Sequence, residues 1–236
     1  MKFFCLRNST EKKIVGQFPP VITALYNCDV WNEKRFTQQI NFEKFDFDPI
    51  IATPVLRKGA KKIDFINASI VGFQFKPIIS EKLFKIFAQL EGINFKFFAC
   101  GLSHKEVIYD YYVMIPTSAN MEYVDFPKSI VIEKKISSSG EAAVKNLSFN
   151  SFEDFLAAKK SDVKNDILIS NLTIKPEVDT DLFVIRYAQG GAKFIASERL
   201  KEEIEKNSIT GIEFQPLTYS FSEWLNSEER LKIYGK

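Results

Sequence analysis

Residues able to do chemistry are few in this chain and widely scattered. His104 is the only histidine, so any imidazole base or triad must use it. It stands in Gly101-Leu-Ser-His104, read as a turn, beside Lys105 and Glu106, and no Gly-x-Ser-x-Gly element accompanies it. A surface histidine is the expectation. Asp46 and Asp48 flank Phe47, a spacing that sets two carboxylates on one face of a strand, as a divalent cation requires. The neighbourhood supplies no further ligands, so these carboxylates read as a solvated edge. Gly190-Gly191 precedes a strand and not a helix, which argues for a turn and against a phosphate-cradling loop. Ser80 and Ser197 each precede a glutamate, but each also stands just ahead of an apolar helical stripe, where a hydroxyl serves as an N-cap. No catalytic, cofactor-binding or metal-binding set emerges, and the expectation is a non-enzymatic chain.

One alternative has a physical basis. Arg57, Lys58, Lys61 and Lys62 form a basic turn, and strands such as Phe95-Lys-Phe97 could stack on single-stranded bases if their rings lay on an exposed sheet face. The net charge of +2, from 32 basic and 30 acidic side chains, provides no strong field for nucleic acid or an anionic membrane.

The elements that carry these residues include a degenerate duplication. Lys76, Ile78, Ser80, Glu81 and Leu83 recur 117 residues later as Lys193, Ile195, Ser197, Glu198 and Leu200, and Gly92-Ile-x-Phe95 recurs as Gly211-Ile-x-Phe214. Each copy reads as strand, capped helix, strand. Leu83, Ile86, Phe87 and Leu90 form the apolar stripe of the first helix, which Gly92 is expected to end. Leu200 and Ile204 form a narrower stripe in the second. Between the copies, Asn207 to Thr210 reads as a two-residue expansion.

Around the repeats, Met1 to Arg7, Val21 to Tyr26, Ile93 to Ala99, Val107 to Ile115, Asp166 to Ile174 and Asp181 to Tyr187 read as strands. The apolar runs flanking the basic turn, Ile50 to Leu56 and Ile63 to Phe75, suit a hairpin or two edge strands. Ser151-Phe-Glu-Asp154 and Ser220-Phe-Ser-Glu223 have the form of capping boxes, the second opening a C-terminal helix with Trp224, Leu225 and Leu231. The fold class expected is α+β, with mixed or antiparallel sheets, two related strand–helix–strand units and a C-terminal helix. Ser137-Ser-Ser-Gly140 is the most linker-like stretch, so the chain divides either into lobes 1–136 and 137–236 or not at all, as one integrated domain.

Cys5, Cys28 and Cys100 are odd in number and widely spaced, suggesting neither a disulfide framework nor a zinc site. Phe3 to Leu6 is too short an apolar run for a signal-peptide core, and no stretch suits a membrane span. The expected compartment is the cytoplasm.

Lys193-Phe-Ile-Ala-Ser197-Glu-Arg-Leu200, followed by Thr210-Gly211-Ile-Glu-Phe214-Gln-Pro216, resembles the closing signature of a bacterial immunity-protein family from polymorphic toxin systems, first catalogued as a domain of unknown function. That signature is Ser-Glu-x-Leu, a helix, then Thr-Gly-φ-x-Phe-x-Pro, where φ is apolar. The resemblance covers residues 181–217 well and the first repeat with Tyr111 to Ser129 more loosely. It implies a protein without catalytic activity that binds and blocks a cognate toxin domain acting in the cytoplasm. The motif marks caps and turns, so it does not locate the toxin-binding surface. Some relatives carry Cys-x-x-Cys pairs that this chain lacks, and no metal is carried over. The near-neutral charge points to shape and apolar complementarity, and not nucleic-acid mimicry, as the source of affinity.

Overall fold

The computed structural model describes residues 1–136, 142–161 and 166–235. The fold is α+β, with thirteen strands in two mixed sheets and six α-helices among those residues. The strands are β1 (Phe3–Asn8), β2 (Val21–Leu25), β3 (Thr53–Leu56), β4 (Phe65–Ile66), β5 (Ile78–Ser80), β6 (Phe95–His104), β7 (Val107–Pro116), β8 (Ile130–Ile136), β9 (Ala142–Leu147), β10 (Asp166–Asn171), β11 (Leu182–Ala188), β12 (Gly191–Ser197) and β13 (Ile212–Pro216). The helices are α1 (Lys12–Val15), α2 (Glu81–Phe87), α3 (Phe152–Ser161), α4 (Glu198–Lys206), α5 (Phe221–Leu225) and α6 (Glu228–Tyr234). One sheet runs β13-β1-β12-β11-β10-β8-β9 and the other β2-β3-β6-β7-β5-β4. Only β10–β11 and β3–β6 pair in parallel.

The duplication is deeper than its motif. In the first unit Phe65 lies opposite Ile79 and Ile66 opposite Ile78; in the second Leu182 lies opposite Ala196 and Phe183 opposite Ile195, the same register 117 residues on. The third strand of the first unit is β7, with Ser80 opposite Tyr111. In the second unit that place is taken by β1, with Ser197 opposite Phe3. Each unit is therefore four strands and a helix, and the second borrows its third strand from the N-terminus.

This mapping corrects the expected two-residue expansion. Phe95 pairs with Pro116 and Ile212 with Asn8, so Phe95 corresponds to Ile212, and Phe214 corresponds to Phe97. Helix α4 has nine residues against seven in α2, and the loop after it is shorter by the same amount, leaving the strands in step. Gly92 does not end α2 either. The helix stops with Ala88 as its C-cap, and Gly92 sits in the following loop at φ 66.

Both serines cap as expected. Ser80 Oγ accepts from the Leu83 amide at 3.3 Å and Ser197 Oγ from the Leu200 amide at 3.1 Å. Each hydroxyl also donates to an aspartate 16 residues upstream, Asp64 at 2.7 Å in one unit and Asp181 in the other. Asp64 further accepts from the Thr210 amide and hydroxyl, both at 2.7 Å, joining the β4 edge of one sheet to the entrance of β13 in the other.

Alternation along the strands sorts their side chains into three apolar layers. Ile79, Met114 and Phe95 of one sheet meet Leu6, Phe194, Ala196 and Phe214 of the other in a central layer that also takes Leu83 and Phe87 of α2 and Leu200 and Ile204 of α4. The opposite faces bury Ile78, Val113 and Ile115 in one outer layer, and Cys5, Phe183, Ile185 and Ile195 in another.

Several boundaries move. Strands β3 and β4 do not form a hairpin, because β3 lies between β2 and β6 while β4 holds the far edge. β6 continues through Gly101–His104, and the turn is Lys105-Glu106, both at positive φ (52 and 67). The C-terminal helix is two helices: Ser220 forms the expected capping box of α5, and Ser227 recaps the chain to start α6. Leu231 faces outward, and the residue α6 buries is Arg230. Ser137 to Gly140 lies outside the described residues. The strands flanking it, β8 and β9, pair with each other, and β1 belongs to the sheet of residues 130–216, so the two sheets do not separate 1–136 from 137–236.

Arg230 makes a buried two-pronged pair with Glu213, at 2.8 and 2.9 Å, and also donates to Thr10 Oγ1 at 3.0 Å. Arg230→Leu is expected to lower the unfolding free energy by about 3–5 kcal/mol in urea denaturation, because buried Glu213 loses its cation and keeps only the Thr10 amide; adding Glu213→Leu should recover most of that loss. Gly211, at φ 92, approaches the Phe65 carbonyl so closely that a Cβ would stand 2.6 Å from it, whereas nothing lies within 4 Å of one at Gly92. Gly92→Ala should therefore cost about 1 kcal/mol, the left-handed backbone penalty alone. In the same assay Gly211→Ala should exceed it by about 2 kcal/mol, because overpacking is added.

Candidate binding surfaces

The structure does not gather the residues that invited chemistry. His104 ends β6 opposite Val107; it is half-buried, not the surface residue expected, and its Nε2 is buried without a hydrogen-bond partner among the described residues. Asn41 to Pro49 is not a strand, so Asp46 and Asp48 do not share a strand face; both are exposed, while Phe45 tucks against Phe98 with ring centres 5.8 Å apart. Among the described residues no group of three or more His, Cys, Asp or Glu could hold a metal. Gln189 and Gly190 form the β11–β12 turn, and Gly191 already belongs to β12, paired with Ala188.

The stacking platform is also absent where it was sought. Phe95 packs toward Phe194 at 6.1 Å and Phe97 toward Phe84 at 5.5 Å, both in the central layer. Two of the four cations in the basic turn are engaged: Lys61 donates to the Lys13 carbonyl at 2.6 Å, and the Lys62 ammonium sits 3.7 Å from the Tyr109 ring centre. No helix among the described residues is long and apolar enough to cross a membrane.

Two other features stand out. The first is half of the six-stranded sheet. On the side away from its outer core, cross-strand rows run Thr23–Val55–Ser103–Ile108 and Leu25–Thr53–Gly101–Asp110. Residues opposite each other share a face, and this face is uncovered: Leu25 is 59% exposed and Ile108 64%. Ile108 lies over Gly101, where a Cβ would come 2.8 Å from its Cγ2. In these rows Leu25, Val55 and Ile108 are apolar, Thr23, Thr53 and Ser103 add hydroxyls and Asp110 is the one charge, and they end at the edge strand β2.

The second feature is a cavity of about 300 Å³ enclosed by β1, the β11–β12 hairpin, β13 and α5. Arg7 enters from β1, and its guanidinium lies 4.2 Å from the Phe221 ring centre. Its Nε donates to Gln215 Oε1 at 2.7 Å, and Gln215 Nε2 donates in turn to the Tyr219 carbonyl at 2.7 Å. Arg7 Nη2 and the Trp224 Nε1 are buried without hydrogen-bond partners among the described residues. Lys193, on β12, is 6% exposed, and no acceptor for its ammonium is found there. Burial is the main cause lowering its pKa, and the neighbouring Arg7 charge adds to it; only a charged Cys5 would act the other way. Burial raises the pKa of Cys5, which keeps it a thiol. A buried donor left unpaired typically costs about 1–3 kcal/mol, and two of the residues lining this cavity carry one, Arg7 and Trp224.

The sequence reading missed this cavity, and it missed Asp64 and Asp181. The aspartates were visible, since they obey the 117-residue spacing of the serines they hold. The cavity was not, because Arg7, Lys193, Gln215 and Trp224 meet only once β1 is inserted between β12 and β13.

Compared with protein-family models the chain matches none, and no curated protein matches it.

Lys76, the counterpart of Lys193, is buried with a long 3.4 Å bond to the Gln74 carbonyl, and burial lowers its pKa from 10.5 to about 8. Below pH 8 the folded state therefore carries an ammonium that the unfolded chain solvates better. That cost, at most roughly 3 kcal/mol, is relieved between pH 8 and 10.5, where the unfolded chain binds more protons. Lys76→Met is expected to be more stable than the parent at pH 7, with the advantage shrinking across that window; chemical denaturation of both proteins at matched pH values measures it.

Proposed function

We propose that this chain is a non-catalytic immunity protein that binds and neutralises a cognate toxin domain inside the cell, gripping it with the open face of the six-stranded sheet. The observation that carries the reading is that face. Exposed Leu25 and Ile108, with Val55 between them and Thr23, Thr53 and Ser103 supplying hydroxyls, form a mixed surface of the kind that a partner protein desolvates, with Asp110 as the single charge in these rows. The Ser-Glu-x-Leu…Thr-Gly-Ile-Glu-Phe-Gln-Pro segment supports the family resemblance, and its residues act as scaffold: Ser197 caps α4, Leu200 enters the central layer, and Gly211 fits against the Phe65 carbonyl. Partner recognition is then left to surfaces outside the signature.

The free edge of β2 extends the same surface and offers backbone groups for strand pairing with the toxin.

Co-expression with the product of the neighbouring reading frame should give a co-purifying complex and rescue growth; neither a complex nor rescue would overturn the toxin reading. Ile108→Glu and Leu25→Glu change side chains that are more than half exposed, so the melting temperature should hold. Affinity for the toxin should fall at least about tenfold. A complex that tolerates both substitutions would place the interface elsewhere.

A further inference from the structure

The cavity beside β1 departs from the duplication in a way that points to a ligand. At the positions matching Arg7 and Gln215, the first unit carries Ile115 and Phe98, which pack in its outer apolar layer. The second unit has replaced core with a guanidinium and an amide around an open volume.

The charged groups without a charged partner there are of one sign. Arg7 Nη2 and Trp224 Nε1 are buried donors without partners, and Lys193 is a buried cation without an acceptor among the described residues. Glu213 also lines the cavity, but both its oxygens are taken by Arg230. What the site lacks is an acceptor bearing negative charge. Arg7 is held ready for one: Phe221 supports its plane and Gln215 fixes its Nε, leaving Nη2 free. The remaining wall is mixed: Phe18, Phe75, Phe194 and Leu225 are apolar, and Asn67, Ser69, Gln74 and Gln189 are polar. Phe18 and Phe221 line the cavity while staying 49% and 43% exposed, so it opens to solvent.

We propose that this cavity binds a small organic carboxylate, its oxygens held by the two cations Arg7 and Lys193 and its apolar body lying against Phe18, Phe75 and Phe194. A carboxylate presents two oxygens with about four lone-pair sites, enough for both cations. The phenylalanines favour it over a bare inorganic anion, which has nothing to place against them. The proposal is independent of the toxin reading and stands on the isolated chain.

The test uses the full chain carrying Trp31→Phe, which leaves Trp224 as the only tryptophan. Phenylacetate and 4-methylpentanoate are titrated while indole emission and melting temperature are followed, with phenylacetamide as the uncharged analogue and inorganic phosphate as the bare anion. The expected result is a saturable emission change and a higher melting temperature with at least one carboxylate, with phenylacetamide at least about tenfold weaker. Lys193→Met should weaken carboxylate binding by about tenfold or more, with its unliganded melting temperature equal to or above that of the parent. Arg7→Lys is the second variant, retaining charge but losing the supported fork, and should weaken binding as well. The proposal is overturned if neither carboxylate saturates by about 20 mM, if the amide binds as well as the acid, if phosphate alone binds, or if both variants bind as tightly as the parent.

Discussion

Two short helices share one apolar layer, and the rest of the structure follows from that. Helices of seven and nine residues are too short to persist alone in water. Each has only one buried pair, Leu83 and Phe87 or Leu200 and Ile204, with which to hold itself down. Laid against a single four-stranded unit, that pair would leave the sheet's inner face half wet. Placing the units face to face closes the layer, with Phe95 against Phe194 and the two helices in contact. The aspartate–serine caps then fix where each helix begins, so the matching registers of the two units position both stripes at the same depth.

Because the inner faces are committed to each other, the outer faces are free to differ, and they do. In the first unit Val113, Ile115 and Phe98 are covered by the segment 28–73, including Phe36, Ile40 and Phe73. That cover extends over one side of the sheet only, leaving the Leu25–Ile108 rows bare on the other. In the second unit the equivalent strands carry Cys5, Arg7 and Gln215, and the covering elements are α3, α5 and α6. The sheet face and the cavity thus both lie where the copies have diverged, and the repeated motif lies where they have not. A signature built from the repeated part identifies scaffold and says nothing of the partner.

That division also explains what could be read in the sequence. Ser80, Ser197 and Ser220 were legible because capping depends on residues within one turn. Strands expected at 1–7, 93–99, 107–115 and 181–187 correspond to β1, β6, β7 and β11, although the second half of β6, at Gly101–His104, was expected to be a turn. The Lys105-Glu106 turn was not legible, since a two-residue hairpin turn usually advertises itself with Asn or Gly, and here two ordinary residues take positive φ within a ten-residue strand pair. Gly92 and Gly211 look alike in sequence yet do different work, one relaxing an open loop and the other fitting beneath a carbonyl. Arg230, in a helix stripe that promised Leu231, was hidden because its burial depends on Glu213, a residue on another element. Each miss is a case of tertiary context overriding a local pattern.

β1 couples these parts. It lies between β12 and β13, so the seven-stranded sheet cannot complete until residues 3–8 meet residues 195–216. Closing a loop of nearly the whole chain is slow and entropically costly, and contacts of that range form late. The same strand sends Leu6 inward to the central layer and Cys5 and Arg7 outward to the second unit's face. Scaffold and cavity therefore share one backbone segment, and whatever occupies Arg7 also holds the strand that closes the fold. A ligand that binds only when β1 is docked stabilises the native chain by RT ln(1 + [L]/Kd). Its effect falls on the most non-local strand pairings in the molecule, which is where a chain joined end to end in this way has the most to gain.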